Sequence, residues 1–103
     1  AKHGVDYAPV PPRYRSPFFA HVFAGGYSSG YYAYMWSEVL AADAFAYVQQ
    51  QGGLDSEVGS RYRREILSRG NSQDPMQMYV DWRGGKPDPK HLLKRRGLDA
   101  AAN

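Results

Sequence analysis

From Tyr31 to Gln51 the chain reads YYAYMWSEVLAADAFAYVQQQ, 21 residues without proline or glycine and rich in good helix formers. The run predicts one long helix, closed by Gly52 and Gly53. One face would carry Tyr31, Tyr34, Met35, Glu38, Ala42, Phe45 and Val48, and the other side Tyr32, Trp36, Leu40 and Tyr47. A helix that is apolar nearly all round is a buried helix. In a chain of 103 residues the remaining segments are too short to cover it on every side. The missing cover points to a larger body.

The rest of the pattern is an all-α one, a long buried helix after a glycine-rich loop and three short helices after that. Residues 1–17 hold four of the seven prolines (Pro9, Pro11, Pro12 and Pro17) and predict an extended, irregular lead-in. Residues 18–30 run from FFAHVFA into GGYSSG, where Gly25, Gly26 and Gly30 permit positive φ and predict a mobile loop. The helical part covers 31–97. Short helices are expected over Ser56–Ser68, Pro75–Arg83 and Pro89–Arg96. Asp55 or Ser56 can cap the first, while Asp74 and Asp88 each precede a proline suited to a first helical position. Gly70 and Gly97 stand where C-terminal glycines belong.

Composition narrows the chemistry. There are no cysteines, which removes disulfides, thiolate metal sites and a cysteine nucleophile. No apolar run approaches the roughly 20 residues of a membrane span, and the N-terminal stretch lacks a signal peptide's apolar core. A soluble chain is expected, with no membrane partner. Ten of the thirteen Lys and Arg residues lie at or after Arg61, against five acids there. The skew reads as the solvated face of amphipathic helices, since no basic run resembles a nucleic-acid-binding arm.

The three histidines, His3, His21 and His91, form no i, i+4 pair of the kind a helical zinc site needs, so no metal ligand is assigned. His3 and His91 read as structural or solvated, and His21 differs in standing beside the glycine loop. GGYSSG lacks the Lys and hydroxyl spacing of a phosphate loop. Ser28 and Ser29 have only His21 as a nearby base and no orienting acid. The tyrosines are more informative. Tyr31 and Tyr34 are three apart on one helical face, with Tyr27 in the loop before them. A phenol titrates near pH 10 and so can donate a hydrogen bond to a developing oxyanion at neutral pH. Taken alone, a helical tyrosine stripe is more often core or interface packing.

Taken together, PPRYRSPFFAHVFAGGYSSGYYAYMWSEVLAADAF resembles the segment downstream of the zinc motif in the thimet oligopeptidase family of zinc metallopeptidases. With ILSRGNSQDP and the closing RRGL, it looks most like the family's bacterial peptidyl-dipeptidase branch, over about Pro11 to Leu98. The resemblance implies a mostly helical peptidase with a deep channel, zinc held by an HExxH helix and a downstream glutamate, and release of C-terminal dipeptides from oligopeptide substrates. Neither zinc motif is in this chain. Both are expected in the upstream part of the same enzyme, which makes this its C-terminal part, inactive alone. The resemblance also implies roles for individual residues. The transition-state tyrosine falls on Tyr34, the substrate-binding histidine on His21 and a substrate-contacting loop tyrosine on Tyr27. Tyr31 matches a further tyrosine of that loop, and Gly25, Gly26 and Gly30 would let the loop close over peptide. The cytoplasm is the expected compartment, with the periplasm left open. Self-association of the exposed segment is a further expectation. The alternative is an independent small helical interaction module.

Overall fold

The computed structural model describes residues 7–53 and 57–99, and among them every regular element is helical. The chain divides into two compact units, the first ending at Ala33 and the second beginning at Tyr34.

In the first unit a short 3-10 turn, Ser16–Phe18, leads into helix α1, Ala20–Phe23. Both lie where an irregular lead-in and loop are expected. Pro17 sits in the first turn, where its missing N–H costs nothing. Tyr14 meets Phe18 edge-on at 6.5 Å, and the Arg13 guanidinium lies 5.4 Å from the Tyr14 ring. None of the described residues of this unit is buried.

Helix α2, Tyr32–Gln50, is the long element. It ends where Gly52 and Gly53 take φ of 95° and 98°. The Gly53 N–H reaches back to the Val48 carbonyl at 2.9 Å, closing the last turn as a left-handed glycine cap does. Of its side chains Val39, Ala42, Asp43 and Val48 are buried, while Tyr32, Met35, Trp36 and Phe45 remain between 45% and 74% exposed. Within this chain the first two turns of α2 therefore stay open, and burial begins at Val39.

The segment expected as a single helix over Ser56–Ser68 is α3, Glu57–Tyr62, continued by a π-helical turn, Arg63–Leu67. The proposed caps Asp55 and Ser56 lie outside the described residues. Arg61 spans the change of winding: Nε and Nη2 each lie 3.2 Å from the Glu65 carboxylate, and Nη2 also donates to the Trp82 carbonyl at 2.9 Å. One side chain thus satisfies a terminal carbonyl of the next helix.

That helix, α4, runs Pro75–Arg83. Asp74 caps it, its Oδ1 accepting from the Gln77 N–H at 2.8 Å, and Gly84 ends it at φ 81°. Helix α5 runs Lys90–Arg95, with Pro89 before it already in helical conformation and the Asp88 carboxylate accepting the Lys90 N–H at 2.9 Å. Gly97, at φ 66°, lets the Leu98 N–H return to the Leu93 carbonyl at 2.8 Å.

Two apolar clusters form the core of the second unit. Val39 and Ala42 of α2 meet Leu92 of α5, and Val48, Val58 and Trp82 bring α2, α3 and α4 together. Trp82 has no solvent exposure, and its ring is boxed by Tyr47 at 5.1 Å, Tyr62 at 5.0 Å and Tyr79 at 5.9 Å, each edge-on or tilted. Edge-to-face contact of this kind adds to simple area burial.

Asp43 of α2 is also fully buried. Its carboxylate accepts from the Tyr79 hydroxyl at 2.6 Å and from Arg83 Nε and Nη2 at 3.0 and 3.3 Å, and His91 Nε2 lies 3.4 Å away. Burial by itself pushes the Asp43 carboxyl up, but the hydrogen bonds from Arg83 and Tyr79 and the Arg83 charge outweigh it and hold the group below the ordinary carboxylate range. The Tyr79 phenol is pushed up, by burial first and then by the carboxylate beside it.

Removing one partner of such a buried pair leaves an uncompensated charge, so Asp43→Ala is expected to lower unfolding stability by about 3 kcal/mol. The pH dependence has a definite sign. Unfolded Asp43 titrates near 3.8 and the folded group lower, so the unfolded chain binds more protons between the two values. The contribution is complete above the unfolded value and is lost as pH falls through the folded one. Denaturant midpoints measured from pH 7 downward should fall below about pH 4. Asp43→Asn should remove part of that slope, leaving the share of Glu65, held low by Arg61, and of Asp88, held low by Lys90.

Candidate functional site

The residues singled out in the loop are brought together in the first unit. His21 lies on α1, and its carbonyl accepts the Tyr27 N–H at 3.2 Å, which folds the GGY turn back over the helix. The Tyr27 carbonyl in turn accepts from the Gly30 N–H at 3.2 Å. Ring centroids of His21 and Tyr27 stand 6.4 Å apart, His21 and Tyr31 6.0 Å, and Tyr27 and Tyr31 5.8 Å. Phe19 closes the cluster with a T-shaped contact to Tyr31 at 4.4 Å. Tyr31 is half-buried by these neighbours, whereas Tyr27 keeps 37% of its surface exposed and His21 is exposed. The arrangement places an imidazole and two phenols, all hydrogen-bonding groups, around one small patch.

The loop glycines serve a different purpose from the one their type predicts. Positive φ among the described glycines occurs at Gly52, Gly53, Gly70, Gly84 and Gly97, at or just beyond helix ends, and not at Gly25, Gly26 or Gly30. Gly25 is required by closeness instead: a Cβ there would stand 2.9 Å from the His21 carbonyl oxygen, the same atom that holds Tyr27. Around Gly26 and Gly30 a Cβ would meet nothing within 4 Å.

Tyr34 belongs to the second unit, in the first turn of α2, and is 51% exposed. Glu38, one turn further along α2, forms an ion pair with Arg96 beyond α5. A groove of about 760 Å³ opens between α2 and α5, lined by Phe45, Gln49, His91, Lys94 and Arg95 among others, and contains none of the residues singled out from the sequence. Among the described residues no cluster of three His, Asp or Glu side chains is placed to hold a metal, and no helix is long and apolar enough to cross a membrane.

Sequence reasoning did not find the Asp43, Tyr79, Arg83 and His91 constellation. The available signal was a lone acid among alanines and aromatics in AADAFAY, on a helix read as buried. A carboxylate in that setting requires a cation.

The chain belongs to peptidase family M3, whose model matches residues 2–98. It is 50% identical over 95 residues to a dipeptidyl carboxypeptidase of Escherichia coli, covering 92% of this chain and 14% of that protein. It is 52% identical over 99 residues to a dipeptidyl carboxypeptidase of Salmonella typhimurium, covering 96% of this chain and 14% of that protein. An oligopeptidase A of Haemophilus influenzae is 41% identical over 95 residues, 92% of this chain and 13% of the relative. The chain thus spans about one seventh of the length of these relatives.

Because the Gly25 position abuts a backbone atom, Gly25→Ala must shift the His21–Tyr27 closure, while Gly26→Ala need not. Amide hydrogen exchange at Tyr27 is expected to speed up by about tenfold in the first variant, a loss near 1.4 kcal/mol, and to change little in the second.

Proposed function

We propose that this chain is the C-terminal part of a zinc metallopeptidase that releases dipeptides from the C-termini of oligopeptides, and that it contributes substrate contacts and an oxyanion donor. The observation that carries the reading is the identity of about one half to two dipeptidyl carboxypeptidases across the stretch holding His21, Tyr27, Tyr31 and Tyr34. The clustering of His21, Tyr27 and Tyr31 supports it, since peptide recognition needs several polar donors converging on one patch.

In this reading the metal is held by residues of the longer protein, where it supplies Lewis-acid polarisation of the peptide carbonyl. The segment's own share is binding and hydrogen-bond donation. His21 and the Tyr27 hydroxyl contact the peptide, Tyr31 braces them, and the close approach at Gly25 sets their spacing. Tyr34 directs its O–H at the carbonyl oxygen as negative charge develops there, a contact that strengthens in the transition state and so acts on kcat. Isolated from the rest of the protein, the segment is inactive.

In the full-length peptidase, Tyr34→Phe is expected to lower kcat by about 10²-fold to 10³-fold, with a much smaller change in KM. Steady-state hydrolysis of a blocked tripeptide reads both constants. An unchanged kcat would remove Tyr34 from the chemistry. Mixing this segment with the upstream part of the protein should restore activity that neither piece has alone, and activity of this segment by itself would overturn the reading.

A further inference from the structure

We infer that Asp43 is a positioning residue for catalysis, gripping the back of α2 so that Tyr34 is presented from the opposite side. The inference rests on the role given to Tyr34 above.

Tyr34 and Asp43 are nine residues apart on one helix. At 3.6 residues per turn that is about two and a half turns, so the two side chains leave α2 on opposite sides, about 13.5 Å apart along the axis. Asp43 has no exposure, and Tyr34 keeps about half of its surface. The grip on the Asp43 side comes from several elements at once. Tyr79 and Arg83 reach it from α4 and His91 from α5. The Tyr79 hydroxyl also lies 3.4 Å from the Leu40 carbonyl, a turn earlier on α2.

An apolar contact tolerates sliding and rotation of a helix, because dispersion has little directionality. A carboxylate held by donors from different directions does not, since each bond weakens steeply with misalignment. The apolar neighbours beside Asp43, Val39 and Ala42 against Leu92, are small or aliphatic, and the larger packing of Tyr47 and Val48 against Trp82 lies a turn further along α2. The rotation that satisfies Asp43 therefore determines where the Tyr34 hydroxyl points. An error of about 1 Å in such a donor can cost about a hundredfold in rate.

The test is a double-mutant cycle in the full-length peptidase, reading kcat and KM for tripeptide hydrolysis. Asp43→Asn keeps the shape of the side chain but removes the charge that holds Arg83. It is expected to lower kcat by about tenfold or more with KM within about twofold. In a Tyr34→Phe background the same substitution should change kcat by less than about twofold, because there is no hydroxyl left to misplace. Loss of the same factor in both backgrounds would overturn the inference and leave Asp43 as a general stabiliser. An unchanged kcat in the single variant would also overturn it. Should Asp43→Asn not fold, Tyr79→Phe removes one donor, leaves the Arg83 pair in place and enters the same cycle with the same criteria. A Tyr34→Phe enzyme with full kcat would instead defeat the reading of Tyr34, and this inference with it, a result distinct from simple additivity.

Discussion

The second unit is organised around a carboxylate that has no access to water. Burying Asp43 carries a desolvation cost of several kcal/mol, and only a nearly complete set of partners offsets it. Those partners come from α4 and from α5, so the ionised form of Asp43 favours one arrangement of these helices around α2. Along α2, Asp43 falls between Val39 and Ala42, which pack on Leu92, and Val48, which packs beside Trp82. The apolar clusters supply most of the driving force, and the ion network supplies the direction. Arg83 serves both, since its guanidinium pairs with Asp43 and lies 5.0 Å from the Tyr47 ring that walls Trp82.

Five of the nine tyrosines divide between two uses. Tyr47, Tyr62 and Tyr79 surround Trp82, where large rings fill volume that short helices could not otherwise fill. Tyr27 and Tyr31 gather around His21 in a unit with no buried residue among those described. The same residue type thus acts as packing in one unit and as an accessible polar group in the other. Tyr79 combines both roles, with its ring against Trp82 and its hydroxyl on Asp43.

Where the fold was legible in the sequence, the signal was local. The long helix follows from 21 residues without a breaker, and the start of α4 from Asp74 and Pro75, all effects within a few residues along the chain. The π-helical turn was not legible in the sequence, and neither was the bond from Arg61 beside it to the Trp82 carbonyl, a contact 21 residues away. The Asp43 network was hidden for the same reason, with partners 36, 40 and 48 positions distant. Of the candidate site, His21, Tyr27, Tyr31 and Tyr34 were accessible only through resemblance, since spacing alone equally describes a packing stripe. The role of Gly25 was misread from residue type: its use is the space beside the His21 carbonyl rather than a left-handed φ.

Part of α2 stays open within this chain. Met35, Trp36 and Phe45 leave 61%, 45% and 61% of their surfaces in water, on the helix that also supplies Val39, Ala42 and Val48 to the core. Full burial of one such side chain contributes roughly 1.5–3 kcal/mol, so three left about half open withhold roughly 2–5 kcal/mol, a large fraction of the stability of a small domain. An independent module would be expected to replace such residues with polar ones, because nothing is gained by displaying them. A segment that occupies about one seventh of its relatives' length has a different constraint, since the same side chains can be covered by the rest of the protein. The ion network and the open apolar side chains then have complementary tasks. The first orients α2 within this segment, and in the proposed reading the second joins it to the body that holds the metal.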